Sequence, residues 1–190
     1  MPRFLQIGGR MARLYLFRGK GATGKTTITN MLSKELNVCV LRKDDIFDPL
    51  SRLGWPNAEN NSACYDILAN MIMQNLRVGT DVIADIALPH TASFAQFRAK
   101  LDLSCHEVYT FLCGCTDEAV WIERWRERLQ NPAPNQYYKS INELTAHYAN
   151  MEIALLPGEV FLDSCQSLPH LLQIVLKHIG KFKINPGEKE

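Results

Sequence analysis

Residues 19–26 read GKGATGKT, which has the spacing G-x-x-x-x-G-K-[ST] of a loop that binds the phosphates of a nucleotide. Gly19 and Gly24 permit backbone angles that turn successive amides toward an anion. Lys25 then reaches the β- and γ-phosphates as a mobile positive charge, and the hydroxyl of Thr26 can ligate Mg²⁺. The predicted nucleotide-binding residues are Gly19, Lys20, Gly21, Ala22, Thr23, Gly24, Lys25, Thr26 and Thr27.

Two carboxylates follow apolar runs that have the composition of strands. Asp44 lies in RKDDIFD at 42–48, just after the second such run, and Asp85 ends DVIAD at 81–85. Asp44 could accept the proton of a hydroxyl that receives a phosphoryl group, and Asp85 could support Mg²⁺ or contact a substrate. The alternatives are a solvated turn or a helix cap for Asp44 and an ordinary strand-end turn for Asp85.

Two arginines, Arg124 and Arg128, precede a proline- and asparagine-rich loop at 130–136. They stand four residues apart on a predicted helix and therefore share one of its faces. Beside a mobile loop they could neutralise the charge on phosphates during transfer. The alternative is a solvated helix face on which Glu123 and Glu127 are their ion-pair partners.

An acceptor for such a transfer needs a wall of its own, and residues 46–65 offer one. That segment mixes aromatic side chains, among them Phe47 and Trp55, with several amides, which suits a ring-bearing or polyhydroxylated small molecule. The alternative is a set of core aromatics beside a polar loop. His90 could also contact the substrate, and the alternative is a surface or structural histidine. The predicted substrate residues are Asp45, Phe47, Trp55, Asp85 and His90.

Apolar runs of strand-like composition alternate with segments of helical period along the chain. Such alternation predicts an α/β fold of three layers, a five-stranded parallel sheet with helices on both faces. Right-handed crossovers place the carboxyl ends of all strands at one edge, where ligands of open α/β sheets bind. The predicted strands are 12–17, 38–42, 81–85, 107–113 and 159–163, and the predicted helices are 24–36, 63–78, 92–101, 116–129, 140–152 and 167–179.

The length of 190 residues fits one domain with a small lid. We expect a single domain over 11–180, with the lid at about 124–140, a leader or alternative start at 1–10 and a flexible tail at 181–190. A net charge of +1 argues against a nucleic-acid partner, and no apolar run approaches the roughly 20 residues of a membrane span. We therefore expect a cytoplasmic protein with a small-molecule partner, and the oligomeric state stays open.

Six cysteines show no spacing typical of a zinc site. The sequence CGC at 113–115 is too tight for the usual zinc knuckles. We expect reduced and mostly buried thiols.

Together these motifs resemble the P-loop kinases of nucleosides, nucleotides and small metabolites. The nearest branch includes chloramphenicol phosphotransferase, zeta-toxin-like kinases and the kinase domain of phage polynucleotide kinase. The resemblance runs from about residue 12 to 179 and rests on GKGATGKT, KDD after the second strand, DVIAD, RWRER before the lid, and NQYY and HYANME after it. It implies a P-loop kinase fold that binds ATP and Mg²⁺, with Asp45 as the second choice for the base. The catalytic residues that it implies are Lys25, Asp44, Arg124 and Arg128.

Two departures from these relatives narrow the expected chemistry. Phe47 stands where polynucleotide kinases carry an arginine, which argues against a nucleic-acid end as acceptor. RKDD at 42–45 lacks the first residue of the guanine-reading pattern [NT]-K-x-D, so ATP is the predicted donor. We expect an ATP-dependent kinase that phosphorylates a hydroxyl of a small molecule such as a nucleoside, sugar or antibiotic. The alternatives are a regulatory nucleotide-binding NTPase and a kinase of a nucleic-acid end or carrier.

Overall fold

The structure is a computed structural model that describes residues 11–132 and 136–181. Its strands are β1 (Arg13–Gly19), β2 (Val40–Arg42), β3 (Val82–Asp85), β4 (Glu107–Gly114) and β5 (Glu159–Asp163). They form one sheet in the order β2-β3-β1-β4-β5, in which every neighbouring pair is parallel. The carboxyl ends of the strands therefore meet at one edge of the sheet.

Helices cover both faces of this sheet, which confirms the predicted three-layer α/β fold. Leu14 and Leu16 of β1 lie in a buried cluster with the helices α3 (Asn57–Arg77) and α4 (Thr91–Ala99). Tyr15 and Phe17 lie in a second cluster with α1 (Lys25–Leu36) and α7 (Leu168–His178). This alternation follows from the two-residue period of a strand that is buried on both faces. The helices are α1 (Lys25–Leu36), α2 (Lys43–Ser51), α3 (Asn57–Arg77), α4 (Thr91–Ala99), α5 (Glu118–Gln130), α6 (Ile141–Ala149) and α7 (Leu168–His178).

A third, smaller apolar cluster joins α5 to α6 above the sheet edge. It contains the buried side chains Trp121, Trp125 and Leu144, with Ala22 packed against them. Because Ala22 belongs to the loop between β1 and α1, the cluster brings the predicted lid into contact with that loop. Residues 133–135 of the predicted lid lie outside the described residues, as do the predicted leader at 1–10 and residues 182–190 of the tail. The domain boundaries stay predictions.

The segment after β2 differs from the prediction. We expected a loop and then a helix over 63–78, but α2 begins at Lys43 and α3 begins at Asn57. Asp44 and Asp45 lie in the first turn of α2, where carboxylates interact favourably with the helix dipole. The side chain of Asn60 in α3 donates a hydrogen bond of 3.1 Å to the carbonyl of Trp55 and so closes the turn between the helices.

Two further expectations concern the thiols and the membrane. Only Cys64 and Cys113 of the six cysteines are buried, so the expectation of mostly buried thiols is wrong. All six are free thiols. Within the described residues, no helix has the length and apolarity that crossing a membrane requires.

Candidate active site

Two glycines of the loop between β1 and α1 have backbone angles that L side chains rarely adopt. Gly19 has φ 140°, and a Cβ there would lie 2.0 Å from the carbonyl oxygen of Cys113 on β4. Gly24 has φ 76° and caps α1. Both angles fall in the region that L side chains avoid, so the two glycines fix the start and the end of the loop.

Aromatic side chains of α5 and α6 hold the middle of this loop. The indole N–H of Trp121 donates a hydrogen bond of 2.9 Å to the carbonyl of Gly21, and the Gly21 N–H donates one of 3.3 Å to the hydroxyl of Tyr148. The ammonium of Lys20 lies 4.8 Å from the ring centroid of Trp121 and 5.1 Å from that of Tyr148. Lys20 therefore makes cation–π contacts with both Trp121 and Tyr148.

Lys25 and Thr26 begin α1 at the carboxyl edge of the sheet. The buried ammonium of Lys25 donates to the carbonyls of Gly19 and Lys20 at 3.0 and 2.6 Å. The hydroxyl of Thr26 donates to Oδ2 of Asp85 at 2.8 Å. A phosphate that entered the loop would meet a cation already held beside its binding site, as the sequence motif predicts.

Asp85 is buried at the end of β3, where burial raises the pKa of its carboxyl although Lys25 and the Thr26 hydroxyl act in the opposite direction. A nearby cation would favour the ionised form. The hydroxyl and the carboxylate are oxygen donors of the kind that Mg²⁺ prefers. Thr26 and Asp85 thus fit the metal role that the sequence predicts for them.

These groups open into a cavity of about 350 Å³ at the sheet edge. The phosphate loop forms one wall, the beginning of α2 forms a second, and the lid forms a third. Eight of the nine predicted nucleotide-binding residues line the cavity, and Lys20 does not. The lining residues outside the loop are Arg42, Lys43, Asp44, Asp85, Ala87, Pro89, Trp125, Arg128, Gln136, Tyr137, Tyr138 and Tyr148.

Of the two adjacent aspartates, the structure brings Asp44 to the cavity. Asp45 points away from it, with its side chain 66% exposed and its Oδ2 3.6 Å from Nη1 of Arg42. The ammonium of Lys43 lies 3.8 Å from Oδ1 of Asp44 and 3.6 Å from the ring centroid of Phe47. Burial lowers the pKa of Lys43. Lys43 therefore lies beside Asp44, whereas Arg42 contacts Asp45.

The two predicted lid arginines have different surroundings. Arg128 lines the cavity, and its guanidinium carbon lies 5.2 Å from the ring centroid of Trp125. Arg124 donates to Oγ and to the carbonyl oxygen of Ser164 at 2.7 and 2.8 Å and does not line the cavity. Arg124 therefore ties α5 to the end of β5, whereas Arg128 lines the cavity.

Three other predicted substrate residues do not line the cavity. Phe47 is buried beneath Lys43, and Trp55 is 51% exposed in the turn before α3. His90 caps α4, and its Nδ1 lies 2.9 Å from Oγ of Ser93. In the described structure these three residues have structural or surface positions.

The sequence analysis did not predict three tyrosines and two cationic residues that line this cavity. Tyr137, Tyr138 and Tyr148 come from NQYY and HYANME, the two segments noted only as family-like. Arg42 and Lys43 precede the aspartates directly, so the signal was present in RKDD.

The sheet order, the phosphate loop and the cavity at the strand ends define a P-loop kinase fold. The chain belongs to the family described as AAA domain, whose model matches residues 14–148. No curated protein sequence matches the chain.

Solved structures agree on this fold. A putative kinase from Chloroflexus aurantiacus J-10-fl is similar with a TM-score of 0.72 and 19% identity, over 89% of this chain and 99% of that chain. An unliganded sugar kinase from Janibacter sp. HTCC2649 is similar with a TM-score of 0.66 and 18% identity, over 89% of this chain and 95% of that one. An APS kinase from Mycobacterium tuberculosis, in complex with AMPPNP and APS, has a TM-score of 0.65 and 15% identity, over 90% and 99% of the two chains.

Proposed function

We propose that the protein is an ATP-dependent kinase that transfers the γ-phosphoryl group to a hydroxyl of a small molecule. The observation that carries this proposal is the position of Asp44, which lines the same cavity as Lys25 and Asp85. A carboxylate base and a phosphate-binding lysine in one cavity are two groups that phosphoryl transfer to a hydroxyl uses.

Each residue then has a defined part in the transfer. Lys25 holds the β- and γ-phosphates once phosphate oxygens replace the loop carbonyls as its acceptors. Asp44 takes the proton of the acceptor hydroxyl as the hydroxyl oxygen bonds to the γ-phosphorus and the bond from that phosphorus to the β–γ bridging oxygen breaks. Arg128 neutralises the charge that develops on the transferred group. Mg²⁺, held by Thr26 and Asp85, would supply further charge neutralisation.

The part of the cavity beside Asp44 favours an acceptor that is a small molecule with an anionic group near its hydroxyl. The cavity of about 350 Å³, which must hold the ATP phosphates as well as the acceptor, is at the small end of the range for small-molecule sites, roughly 300–1,000 Å³. Arg42 and Lys43 line the cavity together with Asp44, in addition to the cations that serve the phosphates, and the ammonium of Lys43 lies 3.8 Å from Oδ1 of Asp44. Sugar acids and nucleotides are therefore the first acceptors to test, before neutral sugars, nucleosides and antibiotics.

The direct test is a screen for acceptor-dependent ATP consumption. Purified protein with ATP and Mg²⁺ is given each compound class in turn, and ADP release is measured together with the mass of the product. We expect one class to give a product that has gained one phosphoryl group. A protein that binds ATP and yet phosphorylates none of the classes would contradict the proposal.

A further inference from the structure

Two cysteines that are far apart in sequence lie together at the carboxyl ends of adjacent strands. Cys115 follows β4 and Cys165 follows β5, and these strands pair in register up to Gly114 and Asp163. The Sγ atoms are 3.4 Å apart. Cys165 is exposed and Cys115 is half-buried, so the pair is open to solvent.

A carboxylate completes a cluster of three possible ligands. The Sγ atoms of Cys115 and Cys165 and a carboxylate oxygen of Asp163 all lie within 4.8 Å of one another. Oδ1 of Asp163 accepts hydrogen bonds of 3.1 Å from the backbone N–H groups of Thr116 and Cys165, and Oδ2 accepts one of 2.6 Å from the Thr116 hydroxyl. These bonds fix the orientation of the carboxylate, as the hydrogen-bond partners of metal ligands commonly do.

We propose that Cys115, Asp163 and Cys165 bind one thiophilic divalent cation of the Zn²⁺ or Cd²⁺ type. Each thiol releases its proton as its bond to the metal forms, so two thiolates and one carboxylate hold the ion and water occupies the fourth position. Soft sulfur ligands select such ions over Mg²⁺, which separates this site from the magnesium role proposed at Thr26 and Asp85.

The spacing suits a metal better than a disulfide. Two sulfurs bonded to one tetrahedral zinc at about 2.3 Å are separated by about 3.8 Å, within a few tenths of an ångström of the separation seen. A disulfide would need the sulfurs to approach to about 2.0 Å and would not use the carboxylate as a ligand.

The site lies next to the nucleotide cavity but is distinct from it. Neither cysteine lines that cavity. Ser164, between Asp163 and Cys165, accepts both hydrogen bonds of Arg124. A metal held here would therefore fix the residue that anchors the lid helix.

Cadmium titration of the full-length, reduced protein tests the proposal. We expect one Cd²⁺ per chain and the ultraviolet charge-transfer band of a cadmium thiolate. Cys115→Ser and Cys165→Ser should each weaken binding more than about 100-fold, because loss of a direct ligand exceeds the roughly 10–100-fold cost of losing an outer partner. Cys39→Ser and Cys105→Ser are matched controls, since both thiols are exposed, and they should bind as the wild type does.

A second measurement needs no substitution at the site. Zinc should protect Cys115 and Cys165 of the wild type from alkylation while Cys39 and Cys105 react as before, as read by peptide mass spectrometry. Equal alkylation of all four thiols with and without zinc would overturn the proposal. So would unchanged cadmium affinity in the Cys115→Ser/Cys165→Ser protein, or a disulfide as the form recovered from the metal-treated reduced protein.

Discussion

The phosphate loop and the acceptor wall of the cavity are built from contacts of different range. Lys25 bonds carbonyls five and six residues away, and Gly19 and Gly24 set the loop by their own backbone angles. The acceptor wall, taken as the cavity residues outside the phosphate loop, instead gathers Asp44 from α2 and Tyr148 from α6. The loop is therefore specified by a local motif, whereas the wall exists only once distant elements have packed.

This difference predicts two kinds of mutational effect. Changes in the loop should weaken reaction with every acceptor, because all acceptors share one donor. Changes in the acceptor wall should either abolish transfer while donor binding survives or alter the choice of acceptor.

The largest expected effect is at Asp44. Asp44→Asn keeps the shape of the side chain but removes the base, so kcat should fall by about 10²- to 10⁴-fold. The dissociation constant of an ATP analogue should stay unchanged, because the loop contacts are intact. Steady-state kinetics and equilibrium binding on the same preparation measure the two quantities.

Asp45→Asn is the matched control for this change. Asp45 is exposed and does not line the cavity, so its effect should stay within about twofold. Equal losses for the two variants would show that the cavity does not distinguish the carboxylates. A regulatory NTPase without an acceptor would tolerate Asp44→Asn.

The next largest effect is expected at the lid arginines, where substitution of Arg128 and of Arg124 should change different properties. Arg128→Ala should lower kcat by about 10²- to 10³-fold, the usual cost of losing one group that stabilises transition-state charge. Arg124→Ala should mainly lower stability, by about 1–2 kcal/mol, because two hydrogen bonds to Ser164 are lost. The readouts are kcat and the free energy of unfolding in urea, and the expectation fails if both variants lose mainly kcat.

The sequence predicted the fold well for a physical reason. Apolar periodicity reports which face of each strand and helix is buried, so the five strands were identified within a few residues. The phosphate loop was identified because its chemistry depends on backbone angles and on neighbours within one turn of helix. The close approach of Gly19 to the backbone of Cys113 is a long-range contact. The motif nevertheless predicts a glycine at this position.

The acceptor wall could not be predicted to the same depth. Phe47, Trp55 and His90 are chemically suitable for a substrate site, but their orientation depends on how α2, α3 and α4 pack. Phe47 and Asp44 both lie on α2, but the side chain of Phe47 is buried in the protein whereas Asp44 lines the cavity. Sequence spacing does not report which strand ends become neighbours. The proximity of Cys115 and Cys165 was therefore not predicted either.

A moderate effect is expected where the lid touches the loop. A Cβ on Gly21 would lie 2.6 Å from Cζ2 of Trp125, so Gly21→Ala should cost about 1–3 kcal/mol of stability through overpacking. Trp125→Phe removes the ring atom in question, and the penalty of Gly21→Ala should shrink in that background. Urea unfolding of the four proteins gives the coupling energy, and strict additivity would contradict the contact.

The smallest expected effect is the change in thermal stability caused by Asp85→Asn. Its sign shows whether the ionised carboxylate stabilises or destabilises the fold. Burial raises the pKa of this carboxyl in the folded state above its unfolded value, so its contribution to stability is complete below the unfolded pKa and is lost as pH rises through the folded pKa. In protein free of nucleotide and metal, Asp85→Asn should therefore melt at or above the wild-type temperature near neutral pH. The gap should close as the carboxyl becomes protonated in both states.

The same substitution should weaken Mg²⁺-dependent nucleotide binding, because the amide that replaces the carboxylate carries no charge for the metal. Melting curves in a chelator from about pH 4 to pH 8, with the Asp81→Asn protein as a control at the opposite end of β3, measure the stability part. A variant less stable than the wild type, with a deficit that widens as pH rises, would mean that ionised Asp85 stabilises the fold. Its hydrogen bond to Thr26 and the charge of Lys25 would then outweigh burial, and the donor side would be assembled for stability before any nucleotide binds.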